Sequence, residues 1–156
     1  MMKPIVKFTA FMLAILLLAT TAVVTKALVH FYALFETPFT HIEMKYHLYA
    51  LIYVLQFVIF IVVGVLTLKL FFKVYKDFNF SETCYDIIIS IAMGLFIYGT
   101  LPSFRPLISI KDSYANVLNT SDLSHSLIII IGIAILVLGI VYKKSQKIKE
   151  EQDLTI

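Results

Sequence analysis

Four stretches of the chain are nearly unbroken apolar runs, separated by shorter segments where charged and polar residues gather; they fall at approximately 8–27, 47–70, 85–101 and 124–143. The hydrocarbon core of a bilayer is about 30 Å thick, so a spanning helix needs roughly 20 apolar residues. None of the runs alternates polar and apolar positions as a barrel strand does, and a helix satisfies its own backbone in lipid. The pattern predicts an all-α polytopic membrane protein. Four transmembrane helices form an antiparallel bundle within a single domain, followed by a short tail at 144–156. The third run is the shortest, held between Asp86 and Pro102. The first follows Lys3 and Lys7 and so has the start of a secretory signal. Its apolar run exceeds the usual 7–15 residues or so of a signal core and has no small-x-small exit. It is read as an uncleaved span.

The lysines and arginine give the bundle a direction. The N-terminal arm (Lys3, Lys7), the link between spans two and three (Lys69, Lys73, Lys76) and the tail (Lys143, Lys144, Lys147, Lys149) share one side in a four-span layout. The other side has Lys26, Lys45, Arg105 and Lys111. Nine cations against four put both termini in the cytoplasm. Aromatic residues near the expected interfaces read as membrane anchors: Phe71, Phe72, Tyr75 and Tyr142 inside, and Phe31, Tyr32, Tyr46, Tyr49 and Tyr98 outside. The outer connections are expected at about Leu28 to His47 and Pro102 to His125, with room for a short interfacial helix near Ile108 and Ile110. Thr120 or Ser121 reads as the N-cap of the fourth helix.

Composition agrees and narrows the classes. Hydrophobic residues make up 60% of the 156, charged residues 15%, and the mean hydropathy is +0.93. Soluble domains average about 45–50% apolar and about 25% charged. A net charge of +3, scattered along the chain, gives no footprint for direct nucleic-acid binding. A single cysteine, Cys84, excludes an intramolecular disulfide and a multi-thiolate metal site.

Little chemistry is visible. A proton-coupled transporter needs an ionisable group inside the membrane, and the span cores offer only Thr20, Thr21, Gln56, Ser90 and Thr100. Gln56, near the middle of span two, is expected to hydrogen-bond to another helix; the alternative is a ligand contact in a polar cavity shared with Ser90 and Thr100. His41, Glu43 and His47 only approximate a metal set, and His30 and His125 fit no ligand spacing. No catalytic, metal or cofactor motif is present, and the expectation is a non-enzyme without cofactors. Among the glycines, Gly132 and Gly139 share one helix face and suit close packing within the bundle or a homo-oligomer contact.

Two segments on the inner side are more distinctive. Before the third span, Ser81 is placed to cap the helix, with Phe80 as a staple and Glu82 in the first turn. The tail carries Glu150, Glu151 and Asp153 and ends in Asp153-Leu154-Thr155-Ile156. The stretch from Phe72 to Glu82, with its Phe78-Asn79-Phe80-Ser81-Glu82 entry into the third helix, and the ending from Lys147 to Ile156 resemble the bacterial four-helix membrane family catalogued as domain of unknown function 2975, with Lys149 as a departure. That family has no established activity. Its members are often encoded beside a small Cro/C1-type helix-turn-helix regulator. The resemblance therefore implies a membrane partner of a cytoplasmic DNA-binding regulator, in the bacterial inner membrane. The docking surface would be Phe78, Phe80, Ser81, Glu82, Glu150, Glu151, Asp153 and Leu154. The alternative is a small-molecule or lipid-binding, export or immunity accessory protein.

Overall fold

The computed structural model describes residues 2–77 and 82–121, and beyond these 123–124, 126–127, 130–131, 134, 138, 145, 148 and 151–152. The elements among them are α1 (Met2–Ala33), α2 (Met44–Asp77), α3 (Glu82–Thr100) and a short α4 (Asp112–Val117), with 3₁₀ segments at Phe39–His41 and Leu101–Leu107. Among the described residues three stretches are long and apolar enough to cross a membrane, by length and composition: Lys7–Ala33, Met44–Lys73 and Asp86–Leu107. The 34 residues of α2 extend about 50 Å at 1.5 Å per residue, well beyond a hydrocarbon core.

The helices outrun the expected spans, and the first outer connection shrinks accordingly. Leu28 to Ala33 and Met44 to His47 are helical, so only residues 34–43 join α1 to α2. The third span gains length from an unexpected source. Pro102 and Pro106 cannot donate backbone hydrogen bonds, and the chain tightens into a 3₁₀ helix beyond Thr100. Ile108 and Ile110 lie between the 3₁₀ segment and α4, outside either helix. The fourth span falls largely outside the described residues. Those described within it, Ser124, Ser126, Leu127, Ile130, Ile131, Ala134 and Leu138, are helical. Thr120 stands where the sequence puts the cap, its carbonyl accepting from the Ser124 N–H at 2.9 Å. The side-chain bond comes from one residue earlier: Asn119 Oδ1 accepts from the Ser121 N–H at 3.0 Å. Ser81, the expected cap of α3, and the pair Gly132 and Gly139 lie outside the described residues.

Helix α2 is the centre of the fold. It packs against α3 and α1, the 3₁₀ segment 101–107 seats on α2 and α3, and α4 seats on α1. The buried positions of α2 include the series Tyr46, Tyr49, Tyr53, Gln56, Phe60, Val63, Thr67 and Leu70, with Ala50, Gly64 and Phe71 beside it. Their spacing alternates three and four residues, the seam that lets helices pack at a shallow crossing angle. The same alternation runs through Ala10, Leu13, Thr20, Val24 and Phe31 of α1, with half-buried Leu17 and Ala27 filling the series. It recurs at Cys84, Ile87, Ile91 and Tyr98 of α3, and at Leu123, Leu127 and Ile130 further on. Thr20 Oγ1 lies 3.5 Å from Ser126 Oγ, joining α1 to the described part of the fourth apolar run.

Away from the seam the helices are equally apolar. Leu48, Leu51, Leu55, Val58, Val62 and Val65 of α2 are exposed, again three and four apart. The other polar groups of the spans turn inward on their own helix. The hydroxyls of Thr21, Thr25, Thr67 and Ser90 each donate to the carbonyl four residues earlier, and that of Thr100 to Ile97, three earlier.

Two glycines set the closest approaches. A Cβ on Gly64 would lie 2.5 Å from a terminal methyl of Leu17, and one on Gly94 would lie 2.7 Å from a methyl of Val63. Leucine can swing its terminal methyl aside, whereas valine is branched at Cβ and stiff. Gly94→Ala is therefore expected to lose about 1 kcal/mol, an overpacking cost of roughly 1–3 kcal/mol less the gain in helix propensity. Gly64→Ala should fall within about 0.5 kcal/mol of the parent on the same grounds. Thermal unfolding in detergent micelles measures both, and a larger loss at Gly64 would contradict this packing.

Candidate functional site

The distinctive chemistry of the described chain lies at the loop end of the α1–α2 hairpin, the expected outer side. Tyr49, Tyr53 and Gln56 occupy successive seam positions on α2 and therefore face one way, toward α3 and the 3₁₀ segment. From that segment Arg105 turns inward. Its Nη2 donates to Gln56 Oε1 at 3.0 Å and its Nη1 donates to the Leu118 carbonyl at 3.1 Å. The guanidinium carbon lies 5.3 Å from the Tyr49 ring centroid and 5.6 Å from that of Tyr53. Such cation–π contacts are each worth about 0.5–2 kcal/mol, more as water is excluded.

This corrects two expectations. Arg105 is not a solvated outer-loop charge, because the 3₁₀ turn swings its side chain back into the bundle. Nor are the span cores empty of ionisable groups: a cation enters the seam from the side and meets the amide of Gln56. The expected partner of Gln56 on another element exists, and it is a charged one. Gln56 is fully buried. The polar cavity expected around Gln56, Ser90 and Thr100 does not form. Ser90 and Thr100 are exposed, with their hydroxyls bonded within α3.

The site is incompletely satisfied. Gln56 Nε2 and Arg105 Nε are buried without a hydrogen-bond partner, and the Tyr98 hydroxyl, near Ser124, forms no well-aligned bond. Among the described residues the ion pair is Lys45 with Glu43 at 2.7 Å, so no described carboxylate neutralises Arg105. Beside the arginine opens a cleft of about 350 Å³, lined by Tyr49, Arg105, Ser109 and Ala115 with Ile108 and Ile110 at its apolar edge.

An aromatic cluster supports this end of the molecule. Tyr114 of α4 packs on Phe35 at 4.6 Å, on Tyr46 at 5.1 Å and on Phe31 at 6.2 Å between ring centroids. Phe35 also meets Tyr46 edge-on at 5.0 Å. Each such pair adds about 0.5–1.5 kcal/mol beyond area burial. The anchor reading is thereby corrected for Phe31, Tyr46, Tyr49, Tyr98 and Phe71, which are buried in the bundle; Tyr32 is half-buried and Phe72 is exposed. His47 belongs to the cluster too, 3.3 Å from the Tyr32 hydroxyl and against Phe39. Glu43 is engaged by Lys45. The trio His41, Glu43 and His47 is thus divided, and no group of three metal-ligating side chains gathers among the described residues.

The expected inner docking residues are mostly beyond reach of this description. Phe78, Phe80, Ser81, Glu150, Asp153 and Leu154 lie outside the described residues. Glu82 opens α3, and Glu151 is helical and exposed.

The model of the family "Protein of unknown function (DUF2975)" matches residues 33–156. The chain belongs to the DUF2975 family. The matched range holds the whole Arg105 centre, from Tyr49 to Leu118, and leaves out nearly all of α1. No curated protein and no solved structure matches this DUF2975 chain. Sequence reasoning had found Gln56 but missed Arg105. The available signal was a lone arginine between two prolines, Pro102 and Pro106, immediately after an apolar run.

The pair should be energetically coupled. Gln56→Leu leaves a buried donor of Arg105 without its acceptor, and Arg105→Met leaves the amide without its partner; each is expected to cost about 1–3 kcal/mol. The double variant should cost less than the sum by about 1 kcal/mol, measured by unfolding in detergent. Strict additivity would show that the 3.0 Å bond carries no coupling.

Proposed function

We propose that this DUF2975 chain is a four-span protein of the bacterial inner membrane with both termini in the cytoplasm. It acts without catalysis, as the sensory or regulatory membrane partner of a small cytoplasmic helix-turn-helix regulator. The observation that carries the reading is the course of α2. A single helix, Met44–Asp77, bears the Gln56–Arg105 centre in its first half and leads at its far end into the Phe78–Glu82 segment. The groups gathered at that centre are a guanidinium, an amide and phenols, which hold and recognise. A rigid helix is a suitable connector between a recognition site outside and a docking surface inside.

The inner surface has chemistry that suits such a partner. The acidic tail, with Glu150, Glu151 and Asp153, would compete with DNA phosphates for the basic residues of a regulator. Leu154, Phe78 and Phe80 would supply apolar contacts, and Ser81 and Glu82 polar ones. The cleft at Arg105 favours a second reading, a lipid- or small-molecule-binding accessory protein, and the two are compatible in a sensor.

Two measurements test the proposal. A native regulator should co-purify with the intact chain and be lost, about tenfold or more, when Glu150 to Ile156 are removed, since several charge-assisted contacts go with them. Equal recovery from both chains would sink the docking role. For topology, single cysteines at Pro38 and Ser109 should react with a membrane-impermeant maleimide on intact cells, and one at Thr155 only after lysis. Labelling of Thr155→Cys on intact cells would reject the four-span layout.

A further inference from the structure

The geometry points to an anion-binding site at the Arg105 cleft, made for the phosphodiester of an anionic phospholipid headgroup. The argument starts from the charge. A guanidinium taken out of water demands an anion or several well-placed acceptors. Arg105 donates to Gln56 Oε1 and to the Leu118 carbonyl and has the Tyr49 hydroxyl as a further hydrogen-bonding neighbour, all uncharged. The rings of Tyr49 and Tyr53 add cation–π attraction, and no described carboxylate pairs with it. Its Nε is buried without a partner. The positive charge is held in place, with no counter-ion among the described residues.

The second observation is access. The same arginine lines the open cleft of about 350 Å³, where the exposed Ser109 offers a hydroxyl. That is room for a phosphate with a small polar head. Independent of the charge, exposed apolar side chains stand close to Arg105 in the chain. Phe104 and Leu107 flank it on the same 3₁₀ segment and are 54% and 79% exposed, and Ile108 and Ile110 line the cleft itself. Apolar side chains around a guanidinium with no described counter-ion match an amphiphile with an anionic head. Arginine's planar fork binds phosphate oxygens in pairs, which a lysine at this position would not do.

The inference deepens the reading of the Arg105 centre as a recognition site and is independent of the regulator. Its failure would leave co-purification with the regulator untouched, and loss of the regulator would leave lipid binding untouched.

The full-length chain, purified in neutral maltoside micelles, is titrated at matched ionic strength with dioleoylphosphatidylglycerol, dioleoylphosphatidylcholine or inorganic phosphate. Retained lipid is counted by native mass spectrometry, and thermal stability is followed in parallel. The parent should retain phosphatidylglycerol over phosphatidylcholine by roughly tenfold, the worth of one charge-assisted contact pair. Arg105→Gln should abolish that preference. Because Arg105 also supports the fold, Ala115→Leu supplies a second variant that fills the cleft and leaves the guanidinium and its bonds intact; it too should lose the preference. Stabilisation by inorganic phosphate equal to that by phosphatidylglycerol supports the anion site and assigns it a soluble ligand. Equal retention of the two lipids by the parent, or an undiminished preference in folded Ala115→Leu, overturns the proposal. In that last case the preference belongs to the lysines of the inner side.

Discussion

Helices that are apolar on every face gain nothing in lipid from turning one particular face inward, because the acyl chains are as apolar as leucine. Everything else in this fold answers that constraint. What selects the inner face is fit: a three-and-four seam of buried residues, two glycines that let Leu17 and Val63 come close, and a few polar groups with nowhere else to bond. On α2 the contrast is between neighbours. Leu55 is 43% exposed while Gln56 beside it is fully buried. Hydrophobicity would have chosen the opposite arrangement, and packing with hydrogen bonding prevails.

Arg105 works within the same constraint from the other direction. The chain keeps a cation at the lipid boundary by giving it two carbonyl-type acceptors on different elements and two aromatic faces. In doing so it ties the 3₁₀ segment to α2 and to the end of α4. The aromatic cluster around Tyr114 closes the same end by contact with α1 and the start of α2. The loop end of the hairpin is therefore organised by polar and aromatic contacts, whereas the middle of the bundle is organised by the seam.

The apolar runs, their number of residues and the near-absence of charge within them made the helical, membrane-compatible character legible from sequence. The family resemblance was legible too, from two short inner motifs. The buried faces were not, because Leu48, Leu51 and Val58 toward the outside look like Phe60, Val63 and Leu70 toward the inside. The residues that do mark the seam, Thr20, Gln56, Gly64, Thr67 and Gly94, are too few to reveal a period unless the packing is already known. Helix ends were misplaced where the apolar run continued into aromatic residues, as at Leu28 to Ala33, since such residues serve a lipid interface and a protein core equally well. Arg105 escaped because two prolines signal a loop. The chain answers them with a 3₁₀ helix, which keeps the backbone against α2 and α3 and aims the side chain inward.

The burial of Arg105 also bears on the proposed orientation. Four cations were assigned to the outer side: Lys26, Lys45, Arg105 and Lys111. Of these, Arg105 is withdrawn into the bundle and Lys45 is paired with Glu43 at 2.7 Å. Lys26, Lys45 and Lys111 are left as the solvated cations of that group, the Lys45 pair being exposed. The nine lysines of the opposite side are spread over an arm, a link and a tail, and the bias that favours them there depends on cations close to the ends of the spans. In the proposed orientation, folding Arg105 into a hydrogen-bonded centre withdraws a charge from the outer tally without weakening the charge asymmetry. A lysine would serve the asymmetry equally, but as a point charge it could not bridge Gln56 and Leu118 while lying against two aromatic rings. The choice of arginine thus reflects the geometry of the centre, and the orientation follows from where the other cations were put.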